Sequence, residues 1–176
     1  MHHPLHFAVA QELQKRRAGR GELIRDSACG GAHHLPLFIG PTKGFDTRMC
    51  DVDLLIVSEN QIRVIVEIEE SGFVPTKICG KFLQAAFATH FIHGSRPPLS
   101  LPYGKSVLFV QVLDGLKILK QGTRKILQGK LIERHIRNML PLKRSSITDY
   151  RLFFIEGTSY KEDLESVGAA VSKVLT

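Results

Sequence analysis

The chain has 176 residues, of which 43% are hydrophobic, a size and composition that predict one domain with a sizeable core. The sequence contains no apolar run long enough for a membrane span, and its three cysteines lack paired spacing, so we expect a cytoplasmic protein without membrane helices or disulfides. The net charge of +7 indicates a polyanionic partner, most simply nucleic acid.

The N-terminal third is predicted to hold one helix and one strand. Residues 4–18 are predicted to be helical, because apolar positions recur there at three- and four-residue spacing, in a stripe that contains Leu5, Ala8, Val9, Glu12 and Leu13. After a glycine-containing break, residues 22–26 are expected to resume the helix for one turn. Residues 34–39 are predicted to form a strand, in which Pro36 indicates an edge position.

A predicted β-hairpin over residues 50–71, CDVDLLIVSENQIRVIVEIEES, is the centre of the sequence. Its first strand begins with Asp51 and Asp53, and its second strand ends with Glu67 and Glu69. An antiparallel hairpin lays the start of the first strand beside the end of the second, and opposed residues share a face. Pairing Asp53 with Glu67 and Asp51 with Glu69 would therefore place all four carboxylates together.

The clustered carboxylates predict a metal site. Opposed like charges repel, and a cluster beside apolar strands is costly unless a cation binds to it. Oxygen ligands on a rigid hairpin are suited to Mg²⁺, for which Mn²⁺ can substitute. A basic chain around an acidic centre is what a metal-dependent phosphodiesterase needs. The alternative is a hairpin with a solvated acidic edge.

The second half of the chain alternates helices and strands. A helix is predicted over residues 77–91, opened by Pro75, with one apolar side formed by Ile78, Phe82, Ala85 and Ala86. Residues 94–104 are predicted to be a proline-rich loop. Residues 107–113, VLFVQVL, read as a strand buried on both faces.

Three further elements complete the chain. A basic amphipathic helix is predicted over residues 123–140, with buried positions Ile126, Leu127, Leu131, Ile136 and Leu140. A strand over residues 150–155 and a helix over residues 161–175 follow. The order αβββαβαβα predicts a single α/β domain over residues 1–176, with a central mixed sheet flanked by helices. The last strand–helix–strand unit is expected to be parallel.

The element order and the acids together resemble the PD-(D/E)xK nuclease superfamily, whose restriction-endonuclease-like core is found in many restriction enzymes and junction resolvases. Asp53 matches the family's Asp at the start of the second core strand, and Glu67 matches the Glu of its Glu-x-Lys motif. Glu12 matches an acid that the first helix often supplies, with Glu22 as the rival. The resemblance covers roughly residues 5–113 and implies Mg²⁺-dependent cleavage of double-stranded DNA, with Asp53, Glu67 and Glu12 holding the metal.

The sequence departs from the family at the lysine, where this chain has Glu69. Some restriction enzymes carry Glu-x-Glu at this place, so the resemblance still implies catalysis. Glu69 would then act as a general base or an outer metal ligand. Alternatively, Lys77 or Lys81 would enter the site from the following helix.

Basic residues on the 123–140 helix are the predicted DNA contacts. Lys125, Arg134 and Arg137 lie away from the apolar stripe, and Arg124 stands at the helix entry. Together with Lys81 they are expected to contact phosphates, whereas the alternative is a solvated helix face. Cutting both strands would be simplest for a symmetric homodimer. A catalytically inactive DNA-binding module, a repair or junction-resolving nuclease and an enzyme for small phosphoesters remain alternatives.

Overall fold

The computed structural model describes residues 3–17, 19–94, 99–120, 122, 124–156 and 160–175. The helices in these ranges are α1 (Pro4–Arg16), α2 (Pro75–Phe87), α3 (Gly115–Lys120), α4 (Arg124–Met139) and α5 (Lys161–Val174). The strands are β1 (Glu22–Arg25), β2 (Leu35–Phe38), β3 (Arg48–Val52), β4 (Leu54–Ser58), β5 (Gln61–Glu69), β6 (His90–His93), β7 (Leu99–Asp114) and β8 (Ile147–Ile155). The chain is thus an α/β protein with a mixed, open eight-stranded sheet flanked by helices. Among the described helices, none has the length and hydropathy needed to cross a membrane.

The long strand β7 divides the sheet into two wings. Its second half pairs in parallel with β5 on one side and β8 on the other, which gives an inner wing in the order β1-β4-β5-β7-β8. Its first half pairs antiparallel with β6, and β6, β2 and β3 form the outer wing. The predicted parallel strand–helix–strand unit is confirmed as β7, α4 and β8.

Helices cover both faces of the inner wing and form two hydrophobic cores with it. The helices α2 and α4 pack on one face, and α1 and α5 pack on the other. The predicted apolar side of α2 is confirmed, because its buried residues are Ile78, Phe82, Ala85 and Ala86. The strand VLFVQVL is buried throughout, as predicted. Its neighbours on both sides and the helices on both faces exclude water from it.

The central hairpin has the predicted register next to the acids, but its first strand is interrupted. Leu54 lies opposite Val66, and the pairing shifts by one residue only near the turn. The chain turns at Asp53, and the preceding strand β3 leaves the hairpin to pair with β2 in the outer wing. Asp51 consequently lies opposite Pro36, so the predicted pairing of Asp51 with Glu69 is wrong.

Two short segments adopt structures other than those predicted. Residues 22–25 form β1 instead of a helical turn, because ELIR pairs with the outer edge of β4. The predicted helix 77–91 ends at Phe87, and β6 pairs with Leu99–Pro102 where a loop was expected. Residues 95–98 of that predicted loop lie outside the described residues.

The prediction for Pro36 is only partly correct. The strand β2 is flanked by β3 and β6 and is therefore not an edge strand. The pairing with β6 reaches only Leu37 and Phe38, so Pro36 has a partner strand on one side alone, which its missing N–H group tolerates.

The helix α4 turns a different side to the core than the apolar stripe predicts. Leu127 and Leu131 are 62% and 48% exposed, so their predicted burial is wrong, while Ile136 is buried. A Cβ atom added to Gly129 would approach a Phe154 ring carbon to 2.3 Å, so the packing against α4 leaves no room for a side chain at this position. Gly129, Ile132 and Ile136 recur at helical spacing, and that side faces inward. Thr123 lies outside the described residues.

Candidate functional site

A cleft of about 560 Å³ opens at the carboxyl end of β5, between the starts of α1 and α2. Its volume is within the range of small-ligand sites. Its lining is dominated by titratable side chains and consists of His3, His6, Asp53, Glu67, Ile68, Glu69, Glu70, Ser71, Lys77, Lys81 and Lys117. The cleft therefore combines both acids of the resemblance with cations from α2 and α3.

Asp53 and Glu67 form the acidic centre of the cleft. Asp53 directly precedes β4, whose pairing with β5 ends at Leu54 and Val66, so both acids lie at the same end of the hairpin and line the same cleft. An oxygen of Asp53 (Oδ2) accepts a hydrogen bond from the Ile68 N–H at 2.6 Å, so its position is fixed. Glu67 is only 7% exposed, and burial together with the charge of Asp53 raises its pKa to about 8. Two such carboxylates call for a compensating cation.

Two lysines on one side of α2 face two glutamates of β5. Lys81 Nζ donates to Glu67 Oε1 at 3.2 Å and to the Asp51 carbonyl oxygen at 3.3 Å. Lys77 forms an ion pair with Glu69. The spacing of the lysines along α2 matches the spacing of the glutamates along β5, because four residues of helix advance about 6 Å and two residues of strand about 6.6 Å. The structure thus brings Lys81 to the acidic centre, whereas Lys77 is held at Glu69.

Neighbouring opposite charges shift the pKa values of Lys81 and Glu69. Burial lowers the pKa of Lys81, but Glu67, Asp53 and Cys50 together outweigh this and raise it overall, so the ammonium stays protonated. Burial raises the pKa of Glu69, but hydrogen bonds from Lys77 and Ser71 outweigh this and lower it overall. Glu69 is therefore a stable anion with two partners, which makes it a weak proton acceptor.

A buried histidine that the sequence analysis did not select, His6, faces Asp53 from α1. Its Nε2 atom lies 3.7 Å from Asp53 Oδ1, and its Nδ1 atom lies 3.3 Å from Glu70 Oε1. Burial lowers the pKa of His6, but Asp53 and Glu70 together raise it above its usual value. The available signal was its spacing, because His6 precedes the buried Val9 and Ala10 by three and four residues.

A second residue that the sequence analysis missed, Gln111, lies beside Glu67 on β7. Gln111 is 4% exposed, and its Oε1 atom accepts a hydrogen bond from the Tyr150 hydroxyl at 2.6 Å. It lines a small recess together with Glu67 and Lys81. The signal for it was present, because Gln111 is the single polar residue in VLFVQVL.

The structure does not bring the predicted helix acids to the cleft. Glu12 Oε1 accepts from Arg16 Nε at 2.7 Å and borders Gly168 of α5. Six residues separate it from His6, which is about 9 Å along the axis and a different face of α1. Glu22 lies in β1 opposite Val57, at the other end of β4 from Asp53. His6 occupies the place next to Asp53 that the resemblance assigned to an acid of the first helix.

The predicted DNA contacts on α4 are not among the residues that line the cleft with Asp53 and Glu67. Arg124 and Arg134 are exposed. Arg137 Nε lies 3.5 Å from an oxygen of Asp149, and Lys125 Nζ lies 5.7 Å from the centre of the Phe73 ring. These four residues form a basic surface on α4, in which the last two already have partners.

A larger cleft of about 860 Å³ lies on the outer wing. It is lined by basic and aromatic side chains among others, including His33, His34, Lys43, Phe45, Arg48 and His93. The Phe45 ring is fully exposed, whereas Arg48 pairs with Asp51 at 2.6 Å. This cleft thus combines cationic and aromatic side chains at a second place in the sheet.

Comparisons of the chain with family models, with curated proteins and with solved structures give no match. The geometry of the cleft is consequently the basis for its functional interpretation.

Proposed function

We propose that the chain is a Mg²⁺-dependent DNA endonuclease with a restriction-endonuclease-like core. The convergence of Asp53, Glu67 and Lys81 in one cleft carries this proposal. One carboxylate stands directly before β4 and the other on the neighbouring strand β5, and an ammonium group lies 3.2 Å from the more buried of them. Carboxylates that hold a metal ion and a cation beside them are groups that metal-assisted phosphodiester hydrolysis uses.

The donor set of the acidic centre fits a hard cation. Asp53 and Glu67 offer only oxygen atoms, which Mg²⁺ prefers, and their mutual repulsion is relieved when a cation binds between them. When bound, Mg²⁺ would acidify a coordinated water and offset charge on the scissile phosphate. The two carboxylates would hold it, with Asp53 fixed through the Ile68 amide and Glu67 through Lys81.

Lys81 supplies the cation that the Glu-x-Glu motif lacks. Its Nζ atom reaches Glu67 from α2, so the positive charge lies beside the acidic centre although position 69 carries Glu. The ammonium group would hold an attacking water or a phosphate oxygen in place. Glu69 is occupied by Lys77 and Ser71, which favours a supporting role for it over that of a general base.

The distribution of charge supports DNA over a small phosphoester as substrate. Lys77 and Lys117 stand at the rim of the cleft, and further cations are spread over α4 and the outer-wing cleft. A small phosphoester would need only the cations within the site. A charged strand can engage several of these regions at once, which agrees with the net charge of +7.

The proposal predicts cleavage of DNA that depends on a divalent cation. Plasmid DNA incubated with the protein should be cut with Mg²⁺ or Mn²⁺ and remain intact with EDTA, and binding should weaken steeply with salt. Discrete fragments would indicate a sequence-specific endonuclease, whereas nicking or smearing would indicate a nonspecific or structure-specific one. Salt-sensitive binding without cleavage under either metal would contradict the nuclease and favour a catalytically inactive DNA-binding module.

The two lysines of α2 should differ in their effect on cleavage. We expect Lys81→Met to lower the cleavage rate about a hundredfold, because it removes a charged donor at the acidic centre. Lys77→Met should change the rate by less than about threefold, because the exposed pair with Glu69 contributes little. Single-turnover cleavage of one plasmid measures the rates of both variants, whose substitutions lie in the same helix. Equal losses, or a larger loss for Lys77→Met, would contradict the role of Lys81.

A further inference from the structure

Two imidazole rings and one carboxylate meet at the start of α1, beside the acidic centre. A ring nitrogen of His3, a ring nitrogen of His6 and a carboxylate oxygen of Glu70 lie within 4.8 Å of one another. We propose that His3, His6 and Glu70 bind a borderline transition-metal ion of the Zn²⁺ class. This site is distinct from the oxygen-only pair of Asp53 and Glu67, and the inference does not depend on the proposed nuclease activity.

The distances suit a tetrahedral ion. Two ligand atoms that each bind a metal at about 2.1 Å with a tetrahedral angle are about 3.4 Å apart. The His3 Nδ1 atom lies 3.6 Å from Glu70 Oε2, and the His6 Nδ1 atom lies 3.3 Å from Glu70 Oε1. The first separation is to Oε2 and the second to Oε1, so each imidazole lies at a ligand-like distance from one oxygen of the same carboxylate.

The identity of the donors selects the ion. Imidazole nitrogen is a common ligand of Zn²⁺ and Co²⁺, whereas Mg²⁺ prefers oxygen. Two histidines and one glutamate are three protein ligands, and a site of this type keeps its fourth position open for water or a substrate. The site faces the cleft that also contains Asp53 and Glu67, so a group in that open position would lie next to the acidic centre.

Neighbouring groups hold the three ligands in place. Glu70 Oε1 accepts from the Leu5 N–H at 2.7 Å and the His6 N–H at 3.3 Å, which fixes the carboxylate against the first turn of α1. The outer nitrogen of His6, Nε2, faces Asp53 Oδ1 at 3.7 Å. A carboxylate behind a metal-bound histidine orients its ring and makes it a better ligand.

A neighbouring cation, Lys117, leaves the carboxylate of Glu70 free for the metal. Lys117 Nζ lies nearby but donates to the Glu70 backbone carbonyl oxygen at 2.7 Å, not to its carboxylate. The side-chain oxygens of Glu70 thus remain directed at the histidines and the helix amides. The helix amides contact Oε1, which leaves Oε2 for the metal on the side of His3.

Co²⁺ is the probe for this site, because its visible d–d absorption is intense only in four- or five-coordinate sites. Untagged full-length protein should develop this absorption on addition of Co²⁺ and lose it when Zn²⁺ is added, but not when Mg²⁺ is added. The variants His3→Ala and Glu70→Gln should each weaken Co²⁺ binding about a hundredfold or more. Glu70→Gln keeps an acceptor for the α1 amides, and circular dichroism confirms that each variant is folded.

Two control variants separate this site from other candidates. His33 and His93 form a second close pair, with ring centroids 4.8 Å apart, so His33→Ala must leave the Co²⁺ spectrum unchanged. Glu67→Gln, which disrupts the acidic centre, must also leave it unchanged even where it abolishes DNA cleavage. Absence of the absorption in the parent protein, or its persistence in folded His3→Ala and Glu70→Gln, would overturn the inference.

Discussion

Replacing Glu67 with Gln is expected to lower Mg²⁺-dependent DNA cleavage about a thousandfold, while DNA binding stays at or above the parental affinity. Metal assistance is worth several kcal/mol, and about 4 kcal/mol corresponds to this factor in rate. Binding should not fall, because Gln cannot carry a negative charge that would repel phosphates entering the cleft. Cleavage and filter-binding assays on the same DNA measure both effects.

The substitution tests chemistry with little risk to the fold. Gln has nearly the same shape as Glu, and its carbonyl oxygen can still accept from Lys81 Nζ. It also removes the charge that burial and Asp53 disfavour, so thermal unfolding should show a variant at least as stable as the parent. Glu22→Gln is the matched control, because Glu22 is exposed at the far end of β4. Parental cleavage rates for Glu67→Gln would refute the proposed metal centre.

The largest effect on stability is expected for Phe82→Ala, a loss of about 3–5 kcal/mol of unfolding free energy. Phe82 is 1% exposed, and its ring packs edge-on against Phe109 at 5.9 Å and against Tyr150 at 5.4 Å between centroids. Truncation removes these contacts and leaves a cavity between α2 and the inner wing. Urea denaturation of the parent and the variant measures the difference.

The neighbouring residue provides the control for this change. Leu83 follows Phe82 in α2 and is 40% exposed, so Leu83→Ala should cost less than about 1 kcal/mol. Because Phe82 anchors the turn that carries Lys81, Phe82→Ala should also loosen the contact between Lys81 and Glu67. Similar losses for both variants would contradict the packing of α2 described above.

The sequence predicts the elements whose side chains have one clear period. The side of α2 with Phe82 faces the core as its spacing indicates, and VLFVQVL is buried as its apolar run indicates. A short turn between the two strands predicts the pairing of Leu54 with Val66, and this register brings Asp53 near Glu67. The proximity of the two acids is therefore predictable from the sequence. In each case neighbouring residues along the chain contain the information.

Features that depend on distant segments were not accessible in this way. The four-residue strands β1 and β6 are too short to show a period, and each is defined by the strand that it meets. The break at Asp53 follows from the pairing of β3 with β2, which no local pattern of the hairpin indicates. The choice of Lys81 over Lys77 depends on how α2 is aligned with β5. His6 and Glu70 are 64 residues apart in the sequence, so no local pattern indicates their contact.

The sharing of β7 between the wings also affects when a growing chain acquires its acidic centre. The hairpin with Asp53 and Glu67 can pair locally, but the other side of β5 stays open until β7 has been synthesised and aligned beside it. Until then Glu67 is hydrated like any exposed carboxylate, and its demand for a cation is weak. Nascent and partly folded chains would therefore carry the same acids without a competent site, which would confine its chemistry to molecules that have finished folding.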